Sequence, residues 1–195
     1  NRTPKVITEN PDLAKELEQI QADLSEEEEE KLNQQFTTAY ALLSREDVLD
    51  IIADDIVRHY LGRWEGSDGK AMVVGLTKYI TVKLYWKVKA WFEKTRTELL
   101  AKRNDLTKNP VFLHMQCSDI DRQLNIIDEL DMGVMMSLWD KQADEIKFGD
   151  AGWDFSVLRK RMEQMDGEMP ALEKQFKDNK NPLKLMFVCS MWLTG

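Results

Sequence analysis

The fold is decided by residues 181–195, which read Asn-Pro-Leu-Lys-Leu-Met-Phe-Val-Cys-Ser-Met-Trp-Leu-Thr-Gly. Asn181-Pro182 is a turn signal, because the residue before a proline is disfavoured in the α region. Leu183–Cys189 is almost entirely apolar, which predicts a strand buried on both faces of a parallel sheet. Ligands of open α/β sheets bind at the carboxyl ends of strands. We therefore expect Met191–Gly195 to form a loop at a ligand-binding edge. Since nothing closes the structure after this core strand, we also expect the chain to be part of a longer protein.

Two further apolar runs predict strands of the same sheet. They are Ala71–Leu76 and Met132–Ser137. A long helix is predicted from Thr77 to about Arg103, so the first strand begins a strand–turn–helix unit. Three buried strands joined by helical crossovers predict a parallel sheet with right-handed connections. The sequence thus predicts an α/β domain over residues 69–195.

Residues 1–68 have a different pattern, typical of an all-helical extension. Asn10-Pro11 is a helix start, and Ser25 with Glu28 forms a capping box for a second helix. A third helix begins at Ser44. Its predicted buried face is formed by Val48, Ile51, Ile52, Ile56 and Tyr60. We expect the three helices to pack as a bundle or hairpin.

The α/β part contains several shorter predicted elements. Asp105–Pro110 is predicted to be a loop, and Ser118 is predicted to cap a helix. Further helices are predicted over 140–148, 158–165 and 171–176, with a turn at Ala151-Gly152.

The composition of the 195 residues is that of a folded globular protein, with 43% hydrophobic and 32% charged side chains. No apolar run approaches the roughly 20 residues of a membrane span, and the polar first residues do not form a signal peptide. Cys117 and Cys189 are far apart in sequence, which favours buried thiols in a reducing compartment over a disulfide framework. We expect a cytoplasmic protein without membrane contact.

The net charge of −8 is unevenly distributed. Residues 1–60 carry a charge of −9, and residues 61–195 carry +1. Glu26–Glu30 is either an acidic interaction tail or a solvated helix N-terminus, where the helix dipole favours acidic side chains; we favour the second interpretation. The nearly neutral remainder lacks the basic footprint of a free-standing nucleic-acid-binding protein. It does not exclude one domain of a larger protein in which a partner domain supplies half of a nucleic-acid groove.

Several patterns that suggest catalysis lack the spacing or the partner residues that the chemistry requires. Gly66–Lys70 lacks the spacing of a phosphate loop, and it precedes a strand instead of following one. Three acidic-x-Lys triplets lack a clear second carboxylate to share a metal, and both histidines are isolated from metal-ligand partners. The triplets begin at Asp68, Glu145 and Asp178, and the histidines are His59 and His114. The sequence predicts neither a catalytic centre nor a metal site.

Two strand-end loops remain as candidate phosphate-binding positions. Thr77-Lys78 follows the first strand, and Thr194-Gly195 follows the last. Hydroxyl and amide donors at strand ends and helix N-termini are good phosphate ligands. For Thr77, the residues alone favour an ordinary helix cap. For Thr194 and Gly195, they indicate only a loop at the ligand edge.

The last strand and its loop resemble motif V of the motor subunit of type I restriction enzymes. The resemblance is most specific at Met191–Gly195 and covers roughly residues 44–195. Arg159–Met162 and Phe176–Asp178 are similar to the same family's approach to this strand.

This resemblance implies an incomplete RecA-like domain, the second of a superfamily 2 translocase. Ala71–Lys78 then matches motif IV and Leu185–Gly195 matches motif V. In that family these loops track the backbone of duplex DNA, and motif V couples it to the ATP cleft. The implied nucleic-acid-binding residues are Thr77, Lys78, Thr194 and Gly195.

The family's phosphate loop, Asp-Glu box and nuclease site lie upstream, and its motif VI lies downstream. The resemblance therefore implies that ATP and Mg²⁺ serve the full-length parent, while this chain alone is inactive and binds neither. The implied partners are double-stranded DNA, the modification and specificity subunits, and the first RecA-like domain. An insertion at Asp105–Asp131 departs from compact family members.

A function of another class stays open. The chain could instead be a non-catalytic α/β interaction domain with a helical docking module. Sequence beyond Gly195 would distinguish the two, because Phe-Asp followed by an arginine-rich helix is expected only of the motor.

Overall fold

The computed structural model describes residues 41, 44–62, 69–106, 113–137 and 154–189. Its helices are α1 (Glu46–Gly62), α2 (Lys78–Leu106), α3 (Leu113–Glu129), α4 (Phe155–Glu163) and α5 (Ala171–Lys177). Its strands are β1 (Ala71–Gly75), β2 (Asp131–Met135), β3 (Met165–Asp166), β4 (Met169–Pro170) and β5 (Leu183–Cys189). The predicted first two helices, the helix over 140–148, the turn at 151–152 and the loop over 191–195 lie outside the described residues.

A parallel three-stranded sheet in the order β1-β5-β2 forms the centre of the fold. Gly75 pairs with Cys189 on one side of β5, and Met135 pairs with Val188 on the other. The central strand is buried on both faces, with Leu183 and Phe187 fully inaccessible. The sequence prediction of three parallel strands with 183–189 as a core strand is therefore confirmed, and the fold is a mixed α/β fold with helices flanking a small parallel sheet.

Helices cover the two faces of the sheet differently. On one face, the Tyr85 ring of α2 meets the Phe187 ring edge-on, with the ring centroids 5.5 Å apart. On the other face, Leu172 of α5 packs over Gly133. Helix α4 also packs against β2 and α5, and its Arg161 donates hydrogen bonds to Asp131 and to the Met132 carbonyl at the start of β2. The core therefore has three layers, with β5 at its centre.

The first strand is less buried than its apolar sequence predicts. Met72 and Val74 are 44% and 49% exposed, while the alternate residues of β1 face α2. The reason is position, because β1 is at the edge of the described sheet and the described helices of the second face lie over β2 and β5. The prediction of a fully buried first strand was wrong for this face.

Helix α1 packs against α2 and belongs to the same hydrophobic core as the sheet. Its most buried residues include Leu49, Ala53 and Val57, whereas Ile51 is 69% exposed. The buried face of this helix is thus displaced by about one residue position from the predicted face. Apolar side chains occupy two neighbouring stripes of this helix, so periodicity alone could not choose between them. The proposed division of the chain between residues 68 and 69 stays a prediction.

Three local predictions also need correction. Helix α3 begins at Leu113, so Ser118 lies inside it and is not its cap. Helix α4 begins after Asp154, whose carboxylate accepts a hydrogen bond from the Ser156 N–H at 3.2 Å, and it ends before Met165. Met165 instead belongs to the β3–β4 hairpin, which turns at Gly167 with a φ of 72°. Such positive φ values favour glycine.

Within the described part of the chain, every helix is too short or too polar to cross a membrane.

Candidate nucleic-acid interface at the sheet edge

The carboxyl ends of the three parallel strands meet at one edge of the sheet. Gly75 ends β1 directly beside Cys189, the last residue of β5. The chain therefore leaves β1 and β5 at neighbouring positions. The first of these exits, Leu76–Lys78, leads into α2 and is the part of the candidate site that the structure describes.

Thr77 is fully buried and acts as the N-cap of α2. Its hydroxyl oxygen accepts a hydrogen bond from the Ile80 N–H at 3.3 Å. Its carbonyl oxygen accepts two more, from the Thr81 N–H at 2.9 Å and the Thr81 hydroxyl at 2.8 Å. These contacts satisfy backbone donors at the start of the helix. They support the helix-cap interpretation that the residues alone favoured.

Gly75 brings helix α2 unusually close to the strand that precedes it. A Cβ atom on Gly75 would lie 2.2 Å from the Thr81 hydroxyl oxygen and 2.9 Å from the Thr81 Cα. Only a residue without a side chain fits here, so the turn from β1 into α2 has little freedom to move. The sequence analysis did not single out Gly75, although a glycine at the end of a strand can signal a close backbone approach.

The candidate phosphate-binding residues differ in what the structure shows of them. Lys78 is buried, with 7% of its surface exposed. Little of the residue is therefore in contact with solvent, unlike a typical surface lysine. Thr194 and Gly195 lie outside the described residues. The assignment of these four residues to nucleic-acid binding stays a prediction.

An open cleft of about 960 Å³ lies at the opposite, amino-terminal edge of the sheet. It is lined by α3 and by the segment that leads into β5, including Asp121, Asn125, Lys180 and Lys184. Its charges are partly matched internally, since Asp121 pairs with Arg103 at 2.8 Å and the Lys184 amine donates to the Asn179 carbonyl. Sequence reasoning missed this cleft because its walls come from distant segments.

A second groove, of about 400 Å³, lies between α1 and α2. Glu46 forms ion pairs with Lys83 and Lys87, and Asp50 pairs with Lys87 at 2.8 Å. Partial burial works to raise the pKa of Glu46, but hydrogen bonds from the two lysines outweigh it and hold that pKa below its usual value. Burial likewise works to lower the pKa of Lys87, and its two acidic partners raise it overall.

None of these places carries a recognisable catalytic arrangement among the described residues. No group of three or more His, Cys, Asp or Glu residues there is placed to hold a metal ion. Burial raises the pKa of Tyr60 to about 12, which makes its hydroxyl a poor proton donor or acceptor near neutral pH.

The chain is similar to a protein of Methanocaldococcus jannaschii named "Putative type I restriction enzyme MjaIXP endonuclease subunit". The two are 27% identical over 169 residues, which is 87% of this chain. The aligned region spans only 12% of the length of that relative. No protein-family model and no solved structure matches the chain. This similarity supports a distant relationship to a restriction-enzyme subunit.

Proposed function

We propose that the chain is a segment of the motor and endonuclease subunit of a type I restriction system. In this proposal residues 69–195 form an incomplete second RecA-like domain, which contributes one wall of the DNA track and part of the ATP cleft. The similarity to the restriction-enzyme subunit over 87% of the chain carries the proposal. The parallel sheet with its last strand in the centre supports it, because a RecA-like domain is built on a parallel sheet.

The placement of the strand ends suggests how the two loops act together. Because Gly75 and Cys189 are adjacent, the motif IV and motif V loops leave the sheet at neighbouring points. A phosphate backbone that follows this edge would meet both loops in turn. In this proposal Thr194 offers its hydroxyl and N–H groups to a phosphate, and Gly195 permits close approach of the backbone.

The two residues at the start of α2 have different roles in the proposal. Thr77 holds the first turn of the helix in place through its capping hydrogen bonds. Lys78 contributes positive charge to the DNA track. Since Lys78 is 7% exposed, a direct phosphate contact requires its side chain to swing outward when DNA binds.

Hydrolysis requires groups that this segment does not supply. ATP and Mg²⁺ would be held mainly by the phosphate loop of the first RecA-like domain, which binds the triphosphate through backbone N–H groups and a lysine. The other proposed partners are double-stranded DNA and the modification and specificity subunits. The chain alone is expected to hydrolyse no ATP.

Thr194→Ala in the full-length parent, assembled with its partner subunits, tests the proposal. One neutral hydrogen bond contributes about 0.5–1.5 kcal/mol, so DNA affinity should fall only a few-fold. Translocation and DNA-stimulated ATPase activity should fall further, because the same loop must release and re-form its phosphate contacts as the ATP cleft closes. Translocation at the wild-type rate would contradict the role of motif V. A parent without any DNA-stimulated ATPase activity would favour the non-catalytic interaction domain.

Lys78→Ala tests the motif IV side of the track separately. It should weaken DNA binding and reduce the slope of log K against log salt by about 0.9, as the loss of one phosphate contact does. Lys160→Ala is the matched control, because Lys160 is an exposed lysine of α4 on the other face of the sheet. Equal salt slopes for the two variants would show that Lys78 does not contact phosphate.

A further inference from the structure

The groove between α1 and α2 has a basic and aromatic wall that its own acidic residues neutralise only at one end. Lys83 and Lys87 are paired with Glu46 and Asp50. Lys94, at the other end of the groove, stacks over the Trp91 ring with its amine 3.8 Å from the ring centroid. Lys94 has no carboxylate partner among the described residues. The open end of the groove therefore has an unmatched positive charge beside an aromatic surface.

Helix α2 continues past Lys94 to Lys102. The two lysines are eight residues apart, so at 3.6 residues per turn Lys102 is rotated by about 80° around the helix axis from Lys94 and lies on the neighbouring face. Lys102 is exposed and is likewise without a carboxylate partner in the described part of the chain. An occupant that runs along the groove would need to offer apolar side chains near Trp91 and acidic groups near Lys94, with Lys102 at the edge of its path.

The N-terminal part of this chain reaches the groove at its paired end. Helices α1 and α2 run in the same direction, because Glu46 lies at Lys83 while Tyr60 lies against the Phe92 ring, with centroids 6.0 Å apart. The carbonyl of Ser44, just before α1, lies 3.5 Å from the Lys83 amine. The chain therefore enters the described part of this helix pair at Ser44, beside the groove and next to Lys83.

We propose that the groove is the docking site of residues 26–40 of the same chain. The sequence predicts a helix there, starting after Ser25, with Leu32, Phe36 and Tyr40 on its apolar face. At about 1.5 Å per residue, a helix that runs back from Ser44 places Glu26–Glu30 about 21–27 Å along α2 from Lys83. On the same scale Lys94 lies at about 16 Å and Lys102 at about 28 Å. Along the helix axis the acidic run therefore falls between the levels of Lys94 and Lys102.

The apolar part of the segment fits the middle of the groove. In the proposed arrangement Phe36 would be about 12 Å along α2 from Lys83, at the level of Trp91. A nucleic acid fits less well as the occupant, because phosphates entering the groove would meet the carboxylates of Glu46 and Asp50. An acidic and apolar segment that docks at the far end avoids them. This inference does not depend on the proposed function.

Zero-length carbodiimide cross-linking of the full chain, followed by peptide mass spectrometry, tests the placement. We expect cross-links from Lys94 or Lys102 to the acidic run Glu26–Glu30. A mixture of ¹⁵N-labelled and unlabelled chains distinguishes contacts within one copy from contacts between copies. Cross-links between labelled and unlabelled peptides would overturn the proposal in favour of a second copy. The absence of any cross-link to the acidic run would also overturn it.

Charge reversal in the full chain gives an independent measurement. Lys94→Glu should lower Tm by about 2 °C, because surface ion pairs contribute little and a protein of this size shifts by about 2–4 °C per kcal/mol. Combining it with Glu28→Lys, Glu29→Lys and Glu30→Lys should restore Tm. Lys89→Glu is the control, since Lys89 is on the same helix and is not among the residues that line the groove.

Additive effects of Lys94→Glu and the acidic-run substitutions would contradict the docking. A nucleic acid as the occupant is tested in the cross-linking assay with an added oligonucleotide. If the oligonucleotide removes the cross-links of Lys94 at stoichiometric concentration, the groove binds nucleic acid in preference to the acidic run, and the proposal fails.

Discussion

Gly75 shows how one residue fixes the approach of α2 to the sheet edge. We expect Gly75→Ala to destabilise the fold, because the new Cβ would lie 2.9 Å from the Thr81 Cα, which a rotation of the side chain cannot relieve. Overpacking of this kind costs about 1–3 kcal/mol. Urea unfolding of the full chain, followed by tryptophan fluorescence, measures the change in the free energy of unfolding.

Gly62→Ala is the matched control for that substitution. Gly62 ends α1, and a Cβ atom there would have nothing within 4 Å. Alanine is the better helix former of the two, so the control should keep or slightly raise stability. Equal stability of Gly75→Ala and Gly62→Ala would contradict the prediction, because it would mean that β1 and α2 can move apart at Gly75 without a loss of free energy.

The candidate site residues differ in how far the sequence could predict their roles. Thr77 was recognisable as a helix cap, because a threonine between an apolar strand and a helical pattern is a common N-cap. The burial of Lys78 was not foreseeable, since it depends on how residues distant in sequence pack around the start of α2. The roles of Thr194 and Gly195 in binding stay predictions.

At the scale of whole elements, long apolar runs were predicted well and short or two-faced elements were not. The strand over 183–189 was evident because it is apolar throughout and follows a turn signal. The β3–β4 hairpin has two residues per strand, which is too short for a period-2 pattern. Helix α1 was recognised, but its buried stripe of Leu49, Ala53 and Val57 was chosen by tertiary packing.

The docking of α1 on α2 should depend on pH through Glu46. Its pKa is lowered in the folded state, because hydrogen bonds from Lys83 and Lys87 outweigh the opposing effect of partial burial. A lowered folded pKa gives stability that is present above the unfolded pKa and lost as the pH falls through the folded pKa. Glu46→Gln should therefore be less stable than the wild type at pH 7, and the difference should disappear in acid.

The size of this effect is limited by solvent. The Glu46 side chain is 66% exposed, so the pairs should contribute about 0.5–1 kcal/mol. Urea unfolding at a series of pH values between neutrality and acid measures the difference between wild type and variant. Glu93→Gln, at an exposed position of α2, is the control. A difference that persists unchanged below the usual carboxyl pKa would show that the charge of Glu46 is not the cause.

At the scale of the whole molecule, the division of the chain at residue 68 can be tested by truncation. Helix α1 lies before that boundary, yet Leu49, Ala53 and Val57 are buried in the core that also includes Val88 and Phe92 of α2. Removing residues 1–43 leaves these contacts in place, so the remaining chain should unfold in one cooperative thermal transition. Removing residues 1–68 takes away α1 and exposes the apolar side of α2 that it covers.

Each buried aliphatic side chain contributes about 1.5–3 kcal/mol, and whole domains are stable by only about 5–15 kcal/mol. The loss of α1 should therefore abolish the cooperative transition or lower Tm by more than 10 °C, whereas the shorter truncation should lower it by a few degrees at most. Differential scanning calorimetry of the two truncated chains beside the full chain makes the comparison. A sharp transition at unchanged Tm without residues 1–68 would place the boundary at 68. Loss of cooperativity on removing residues 1–43 alone would instead place the helices before Ser44 within the core.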